Sequence, residues 1–154
     1  MQMTRPSVLL MDLGNVLLFS TEEGHGGKLN PRHKELTAKL GDNYRFFDYF
    51  GVNEDLLQLL AKLRAKYPIH MITEGDIQNH PTLKEKLETV FDYANIHSTG
   101  ALGLDKKTPE AYIYVLSELG LNPGEVLFID DSDINIEAAK RVGLQSIHFT
   151  SEQQ

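Results

Sequence analysis

The sequence predicts an α/β fold built on a parallel sheet, and three features of the chain lead to this prediction. Short apolar runs typical of buried strands alternate with segments of helical periodicity from end to end. Three of these runs end in Asp12, in Thr73 and in the acidic pair of Asp130 and Asp131. The length of 154 residues suits one domain. Because parallel strands end at one edge of a sheet, these polar residues are expected to converge there.

The N-terminal half begins with a strand over residues 7–11, whose apolar run stops at Asp12 and a glycine turn. Asn53 can cap the next clear helix, which carries acids in its first turn and bases near its end. The core-facing stripe of this helix is expected to consist of leucines at helical spacing, namely Leu56, Leu59, Leu60 and Leu63. Pro68 ends the helix, and a short apolar strand follows over residues 69–72.

The C-terminal half repeats the alternation of helix and strand. Its clearest helix start is the run Thr108, Pro109 and Glu110, which supplies an N-cap, a first-turn proline and an acid near the positive end of the helix dipole. Gly120 can close that helix, and Asp133 is the expected N-cap of the last one. The remaining elements are a helix over residues 82–90, a weaker strand over 93–97, a strand over 126–129, a helix over 133–142 and a strand over 145–149.

Residues 20–51 interrupt this pattern. They begin with a polar, glycine-rich run over residues 22–28, continue with a helix over residues 31–40 and end in an aromatic group over residues 44–50. We expect a β-hairpin or loop at the rim of the sheet with one or two short helices. No repeat or linker divides the chain, so residues 1–154 are expected to form a single domain.

Composition and charge narrow the classes of function. The net charge of −7 and the pI near 5.3 argue against non-specific binding to nucleic acid or to an anionic membrane surface. No apolar run approaches the ~18 residues of a membrane span, and no cleavage-site pattern follows the first strand. The absence of cysteine excludes disulfides and thiolate chemistry and is compatible with a reducing compartment. We therefore expect a cytoplasmic protein.

Asp12, Thr73, Lys106, Asp130 and Asp131 together suit phosphoryl transfer. Each of them alone has an ordinary explanation as a turn former, a strand-end hydroxyl, a solvated charge or a helix cap. Together at one sheet edge they offer a carboxylate nucleophile, a hydroxyl, a cation and two further acids. Carboxylates from separate strands form the oxygen-rich site that Mg²⁺ prefers, and the metal and the lysine offset their repulsion of a phosphate.

Through these motifs the chain resembles the haloacid dehalogenase-like (HAD) hydrolase superfamily over nearly its whole length. The four motifs of that family are matched in order by residues 8–16, residues 69–73, Lys106 and residues 126–131. The resemblance implies a three-layer, Rossmann-like α/β fold whose five-stranded parallel sheet has the order 3-2-1-4-5. It also implies a Mg²⁺-dependent phosphatase that forms an aspartyl-phosphate.

The resemblance assigns roles to individual residues. The expected catalytic residues are the nucleophile Asp12 together with Thr73 and Lys106. The expected Mg²⁺ ligands share an oxygen donor and are Asp12, Asp130, Asp131 and the backbone carbonyl of Gly14. The residues expected to contact a small phosphorylated substrate, such as a sugar phosphate, are Asn15, Thr73, Glu74 and Lys106.

Two positions depart from the family pattern. Gly14 stands where most phosphatases of the superfamily carry a general acid. We therefore expect a slow enzyme, a substrate with a good leaving group, or an acid from elsewhere, for which Glu22, Glu23 and His25 are candidates. Glu74 stands where the family usually has an asparagine, and it adds negative charge near the expected phosphate site. The form Asp-Leu-Gly-Asn-Val over residues 12–16 most resembles a branch of sugar-phosphate and related phosphatases.

The space for a cap domain is also small, because only residues 20–51 are available between the first two motifs. A reduced cap suits a larger substrate, a homo-oligomer whose partner subunit completes the pocket, or a protein that has lost catalytic specificity. The alternative to a phosphatase is therefore a catalytically weak or inactive protein that binds a phosphorylated ligand or a protein partner. A dehalogenase and a phosphoacceptor receiver domain rank lower, the latter because its acidic pair follows the first strand.

Overall fold

The computed structural model describes residues 5–22 and 29–150 and confirms the predicted α/β class. Glu23 and His25, two of the candidate acids, lie outside these ranges. The strands are β1 (Val8–Met11), β2 (Leu18–Ser20), β3 (Phe50–Val52), β4 (Ile69–Thr73), β5 (Ile96–Ser98), β6 (Val126–Asp130) and β7 (Gln145–His148). The α-helices are α1 (Leu29–Leu40), α2 (Phe46–Tyr49), α3 (Glu54–Leu63), α4 (Pro81–Leu87), α5 (Thr99–Leu102), α6 (Pro109–Leu119) and α7 (Asp133–Val142). Short 3₁₀ turns cover Gly41–Asn43, Ile77–Asn79, Tyr93–Asn95 and Pro123–Glu125.

The main sheet has five strands in the order β5-β4-β1-β6-β7, and every neighbouring pair is parallel. Numbered by their succession in this sheet, the strands stand in the predicted order 3-2-1-4-5. In the register, Met11 of β1 lies beside Met71 of β4 and Ile129 of β6. The residues that follow these positions, including Asp12, Thr73 and Asp130, therefore reach the same edge of the sheet.

Two apolar clusters cover the two faces of the sheet. Leu9, Met11 and Met71 pack with buried residues of α1, α3 and α4 on one face. Leu10 and Phe128 pack with α6 and α7 on the other. Alternate strand residues point to opposite faces, so the same strands contribute side chains to both clusters.

The ends of residues 20–51 are joined by an antiparallel pair, β2 with β3, at the rim of the sheet. Helices α1 and α2 lie between these two strands. Leu29, His33 and Leu36 are the buried residues of α1. The expected rim strands and short helices are thus present, although a helical segment, and not a tight turn, joins the two strands.

The structure corrects two details of the predicted helices. In α3 the buried residues are Leu57 and Leu60, whereas Leu59 is 51% exposed and Leu56 and Leu63 are partly exposed, so the predicted core stripe was wrong for Leu59. The N-cap of α7 is Ser132, whose Oγ accepts a hydrogen bond from the Asn135 amide, and not Asp133. The predicted caps at Asn53 and Gly120 are confirmed.

The helices give no indication of a membrane span. Within the part of the chain that the structure describes, none combines the length and the hydrophobicity that crossing a bilayer requires.

Candidate active site

A pocket of about 270 Å³ opens at the carboxyl edge of the sheet. Its floor is formed by Asp12, which follows β1, and by Thr73, which ends β4. Asp131 and Ser132 enter it from the end of β6. The remaining lining residues are Leu13, Gly14, Asn15, Leu29, Asn30, Glu74, Ile77, Lys106, Lys107 and Asn135.

Lys106 is the buried centre of this site. Its side chain is 2% exposed, and its Nζ lies 2.6 Å from Asp12 Oδ1 and 3.0 Å from Asp130 Oδ2. The Tyr112 hydroxyl of α6 donates a hydrogen bond of 2.7 Å to the Lys106 carbonyl, which fixes the turn before the helix. One ammonium group therefore joins two carboxylates that come from different strands.

Asp130 is fully buried, and three donors contact its carboxylate. Besides Lys106, its carboxylate accepts hydrogen bonds from the Ser132 amide at 2.9 Å and from Asn135 Nδ2 at 3.1 Å. Burial acts to raise the pKa of Asp130, but Lys106 and these hydrogen bonds outweigh it and lower the pKa below its usual value. Asp130 does not line the pocket; it lies behind Lys106 and holds the ammonium group in place.

The pKa values of the other two carboxylates are shifted in the opposite direction to that of Asp130. Burial raises the pKa of Asp12 well above its usual value, Lys106 opposes that rise, and Asp130 and Asp131 add to it. The pKa of Asp131 is raised as well, chiefly by burial. Burial acts to lower the pKa of Lys106, but the two aspartates it contacts raise it above its usual value, so this residue stays charged.

The donor set fits a divalent metal ion. Asp12, Asp130 and Asp131 each offer a carboxylate oxygen, and these oxygens lie within 4.8 Å of one another. Three carboxylates and one ammonium group leave a formal charge of −2, which a divalent cation would neutralise. Asn135 Oδ1 is buried and has no hydrogen-bond partner among the described residues, so a further oxygen acceptor lies beside the cluster. All these donors are oxygens, as Mg²⁺ prefers.

The turn after Asp12 has its unusual conformation at Asn15 and not at Gly14. Asn15 has φ of 61°, in the left-handed region that asparagine tolerates better than most residues. Gly14 is outside that region, and a Cβ placed there would meet only Leu29, at 3.8 Å. The local backbone can therefore accept a side chain at position 14, although this sequence has none.

Helix α1 closes one side of the pocket with Leu29 and Asn30. Asn30 Oδ1 accepts a hydrogen bond of 3.2 Å from the Ile77 amide, which ties α1 to the loop after β4. Gly75 permits this contact, because a Cβ there would overlap the Asn30 side chain. The sequence did not identify Asn30; its only signal was a polar residue at the start of a predicted helix.

Glu22 does not lie where it could serve as the general acid that Gly14 cannot provide. Its carboxylate accepts two hydrogen bonds from the Arg32 guanidinium, at 2.9 and 2.7 Å, and it is not among the residues that line the pocket. Glu74, by contrast, lines the pocket and also an adjoining polar cleft of about 320 Å³ with Thr99 and Lys107. The structure therefore places Glu74 where the pocket opens into this cleft.

Apart from the three candidate general acids, the residues that the sequence singled out for the site lie at this edge of the sheet. Asp12, Gly14, Asn15, Thr73, Glu74, Lys106 and Asp131 line the pocket, and Asp130 lies directly beneath it. Asn135 was missed as a site residue. Its position five residues after Asp130, in the first turn of α7, turns its amide back towards the end of β6.

The chain is similar to known proteins over most of its length. The family model of haloacid dehalogenase-like hydrolases matches residues 11–143. Flavin mononucleotide hydrolase 1 from Arabidopsis thaliana is 28% identical over 103 residues, which cover 67% of this chain and 41% of that protein. N-acylneuraminate-9-phosphatase from Homo sapiens is 26% identical over 131 residues, which cover 81% of this chain and 50% of that protein. The chain thus spans half or less of the length of these two relatives.

The fold is also similar to solved structures. A HAD family enzyme from Bacteroides thetaiotaomicron, in complex with magnesium and inorganic phosphate, superposes with a TM-score of 0.71 at 23% identity. The match covers 97% of this chain and 96% of that chain. At this level of identity the likeness shows the fold.

Proposed function

The chain belongs to the haloacid dehalogenase-like hydrolase family, and we propose that it is a Mg²⁺-dependent phosphatase that acts through an aspartyl-phosphate at Asp12. The observation that carries this proposal is the buried pair of Asp12 and Lys106 at the floor of a pocket that Thr73 and Asp131 also line. The substrate is a small phosphorylated metabolite, such as a sugar phosphate. The protein represents the Asp-Leu-Gly-Asn-Val branch, with residues 20–51 as a reduced cap on a single domain.

In the first step an Asp12 carboxylate oxygen attacks phosphorus, and the bond from phosphorus to the ester oxygen breaks as the acyl phosphate forms. The leaving group departs as an oxyanion that takes its proton from water, since Gly14 has none to give. Lys106 holds Asp12 through Oδ1, which leaves the other oxygen of the carboxylate for attack. Water then attacks phosphorus, the acyl phosphate bond breaks, and Asp12 is regenerated as inorganic phosphate leaves. Lys106 and the Thr73 hydroxyl stabilise the charge on the phosphoryl oxygens, and Asn15 and Glu74 contact the substrate at the rim.

Asp12, Asp131 and the backbone carbonyl of Gly14 are the proposed Mg²⁺ ligands, with Asp130 contributing through the same carboxylate cluster. When bound, the metal supplies positive charge that balances the carboxylates and the phosphoryl oxygens. The position of Asp130 behind Lys106 gives it a second role, because its charge keeps the ammonium group close to Asp12.

Mg²⁺ is expected to raise the melting temperature of the wild-type protein in a concentration-dependent way. Binding to the folded state adds about 2.7 kcal/mol to the free energy of unfolding when the metal is at 100 times its Kd. Asp131→Ala should remove this response, because it deletes a ligand from the cluster. Asp133→Ala is the matched control, since Asp133 is an exposed acid two positions away that contacts His148 and not the cluster. An unchanged response in Asp131→Ala, measured by thermal unfolding, contradicts the assignment.

The absence of an acid at position 14 predicts a preference for substrates with good leaving groups. The aryloxide of an aryl phosphate leaves without protonation. The alkoxide of an alkyl phosphate needs a proton, which general acid catalysis supplies at a gain of ~10² to 10⁴-fold. The wild-type kcat/KM is expected to be far higher for an aryl phosphate than for a simple alkyl phosphate. Gly14→Asp should narrow this difference, and the space around Gly14 admits the side chain. Gly14→Asn, which fills the same space without an acidic proton, is the control.

A protein that binds a phosphorylated ligand without turning it over is the second candidate, and Glu74 favours it. A carboxylate on the rim of a phosphate site repels the substrate, and Gly14 supplies no proton. Assays of both substrate types with and without Mg²⁺ decide between the two functions. Equal rates for aryl and alkyl phosphates mean that another residue supplies the proton, and no Mg²⁺-dependent turnover of either one supports the binding protein.

A further inference from the structure

One face of the sheet is left partly uncovered at β6 and β7. Leu127 and Ile129 of β6 and Ile147 of β7 lie on the face opposite to α6 and α7. There they form one side of an apolar groove of about 350 Å³, and Leu56, Leu59 and Leu63 of α3 form the other. We call it the α3 groove. It shares no lining residue with the active-site pocket.

Two apolar side chains of the α3 groove, one on each side of it, are exposed to solvent. Leu59 is 51% exposed and Ile147 is 39% exposed. Strands of a parallel sheet are normally covered on both faces. A contiguous apolar groove next to an open sheet face marks an interaction surface more often than scattered apolar residues do.

The charges of α3 show what kind of surface fits the groove. Asp55, Leu59 and Lys62 are spaced at i, i+4 and i+7 and therefore share one side of the helix. Asp55 and Lys62 are exposed, and neither forms an ion pair with another residue in the described ranges. The other end charges of α3 are engaged, because Glu54 pairs with Lys86 and Arg64 with Asp92.

This pattern is complementary to itself. When two copies of α3 pack antiparallel about an axis near Leu59, Asp55 of one copy lies beside Lys62 of the other, and the pair occurs twice. The leucines at the centre then meet each other, as an isologous interface requires. A membrane surface does not fit, since the chain has a net charge of −7 and Asp55 lies beside the apolar groove. An unrelated partner would not require opposite charges spaced almost evenly about Leu59.

We propose that the α3 groove is the interface of a symmetric homodimer in which two α3 helices pack antiparallel with Leu59 near the two-fold axis. The dimer covers the open face of β6 and β7, and it does so without contributing to the active-site pocket. It accounts for an apolar stripe on α3 that the monomer alone leaves exposed.

Sedimentation velocity from low to high micromolar protein tests this dimer. The wild-type protein is expected to dimerise over that range, and Leu59→Asp is expected to remain monomeric. Ile134→Asp is the matched control, because Ile134 is 57% exposed but lies on α7, on the other side of the sheet, so it should dimerise like wild type. A wild-type protein that stays monomeric throughout, or a dimer that survives Leu59→Asp, overturns the proposal.

A charge exchange tests the antiparallel arrangement and does not depend on the folding of Leu59→Asp. Asp55→Lys and Lys62→Asp each place like charges opposite one another twice, and each should raise the dimer dissociation constant about tenfold. The double variant Asp55→Lys with Lys62→Asp restores both pairs and should return the constant to near the wild-type value. Both positions are exposed in the monomer, so the variants should fold, although reversing charges at the ends of α3 opposes its helix dipole and should lower the melting temperature slightly. A double variant weaker than either single one rules out this arrangement.

Discussion

Asp12→Asn is expected to reduce phosphatase turnover by at least about 10³-fold while leaving the fold intact. The amide is nearly isosteric with the carboxylate but is a poor nucleophile, so the acyl phosphate cannot form. Lys106 keeps Asp130 as its counter-charge, at 3.0 Å, so the substitution does not leave a buried ammonium group unpaired. The measurement is kcat for an aryl phosphate in saturating Mg²⁺, with thermal unfolding to verify the fold.

Asp131→Asn is a useful comparison for this experiment, because Asp131 lines the same pocket and is assigned to the metal and not to the attack on phosphorus. Raising the Mg²⁺ concentration should recover part of the activity of Asp131→Asn but none of that of Asp12→Asn. Near-normal Mg²⁺-dependent turnover in Asp12→Asn would mean that another group attacks phosphorus and would refute the mechanism.

The sequence predicted the sheet and the polar residues at its carboxyl edge because strand ends carry a local signal. An apolar run that stops at Asp12, Thr73 or Asp130 is visible without any tertiary information. The topology of a parallel sheet then requires the ends of β1, β4 and β6 to meet, and the register shows that they do. The order of the strands came from the family resemblance, since periodicity alone does not order them.

What the sequence could not predict depends on contacts between distant segments. The contact of Asn30 with Gly75 and Ile77 joins α1 to the loop after β4, and no local sequence pattern predicts this contact. The role of Asp130 as the counter-charge of Lys106 also depends on the fold, because either acid of the pair could have faced the pocket. The strand alternation turns Asp130 inward and leaves Asp131 in the pocket.

The prediction that Leu59 of α3 faces the core was wrong because it, too, depended on contacts between distant segments. Helical periodicity identifies which leucines share a side of the helix but not what covers that side. In the structure Leu57 and Leu60 face the core of this chain, whereas Leu59 faces the α3 groove. An apolar stripe wider than the core contact is the pattern expected when a second subunit completes the burial.

Lys106→Met is expected both to abolish turnover and to destabilise the protein by about 3 to 5 kcal/mol, the usual cost of removing one partner from a buried ion pair. Lys106 is 2% exposed, and its loss leaves Asp12 and the fully buried Asp130 without their common cation. Equilibrium unfolding in urea without Mg²⁺ measures the change in the free energy of unfolding. Lys107→Met is the matched control, because Lys107 is the exposed neighbour in the same turn and its loss should change stability by less than about 0.5 kcal/mol.

A second substitution separates the loss of charge from the loss of packing. If Lys106→Met is unstable because Asp130 has lost its cation, the double variant of Lys106→Met with Asp130→Asn should recover part of the lost stability. A neutral amide needs no counter-charge, and its oxygen can still accept the hydrogen bond from the Ser132 amide. Turnover should stay absent in the double variant, because neither substitution restores a cation beside Asp12. A Lys106→Met protein that unfolds at the wild-type urea concentration would show that the three charges are not coupled as the distances of 2.6 and 3.0 Å imply.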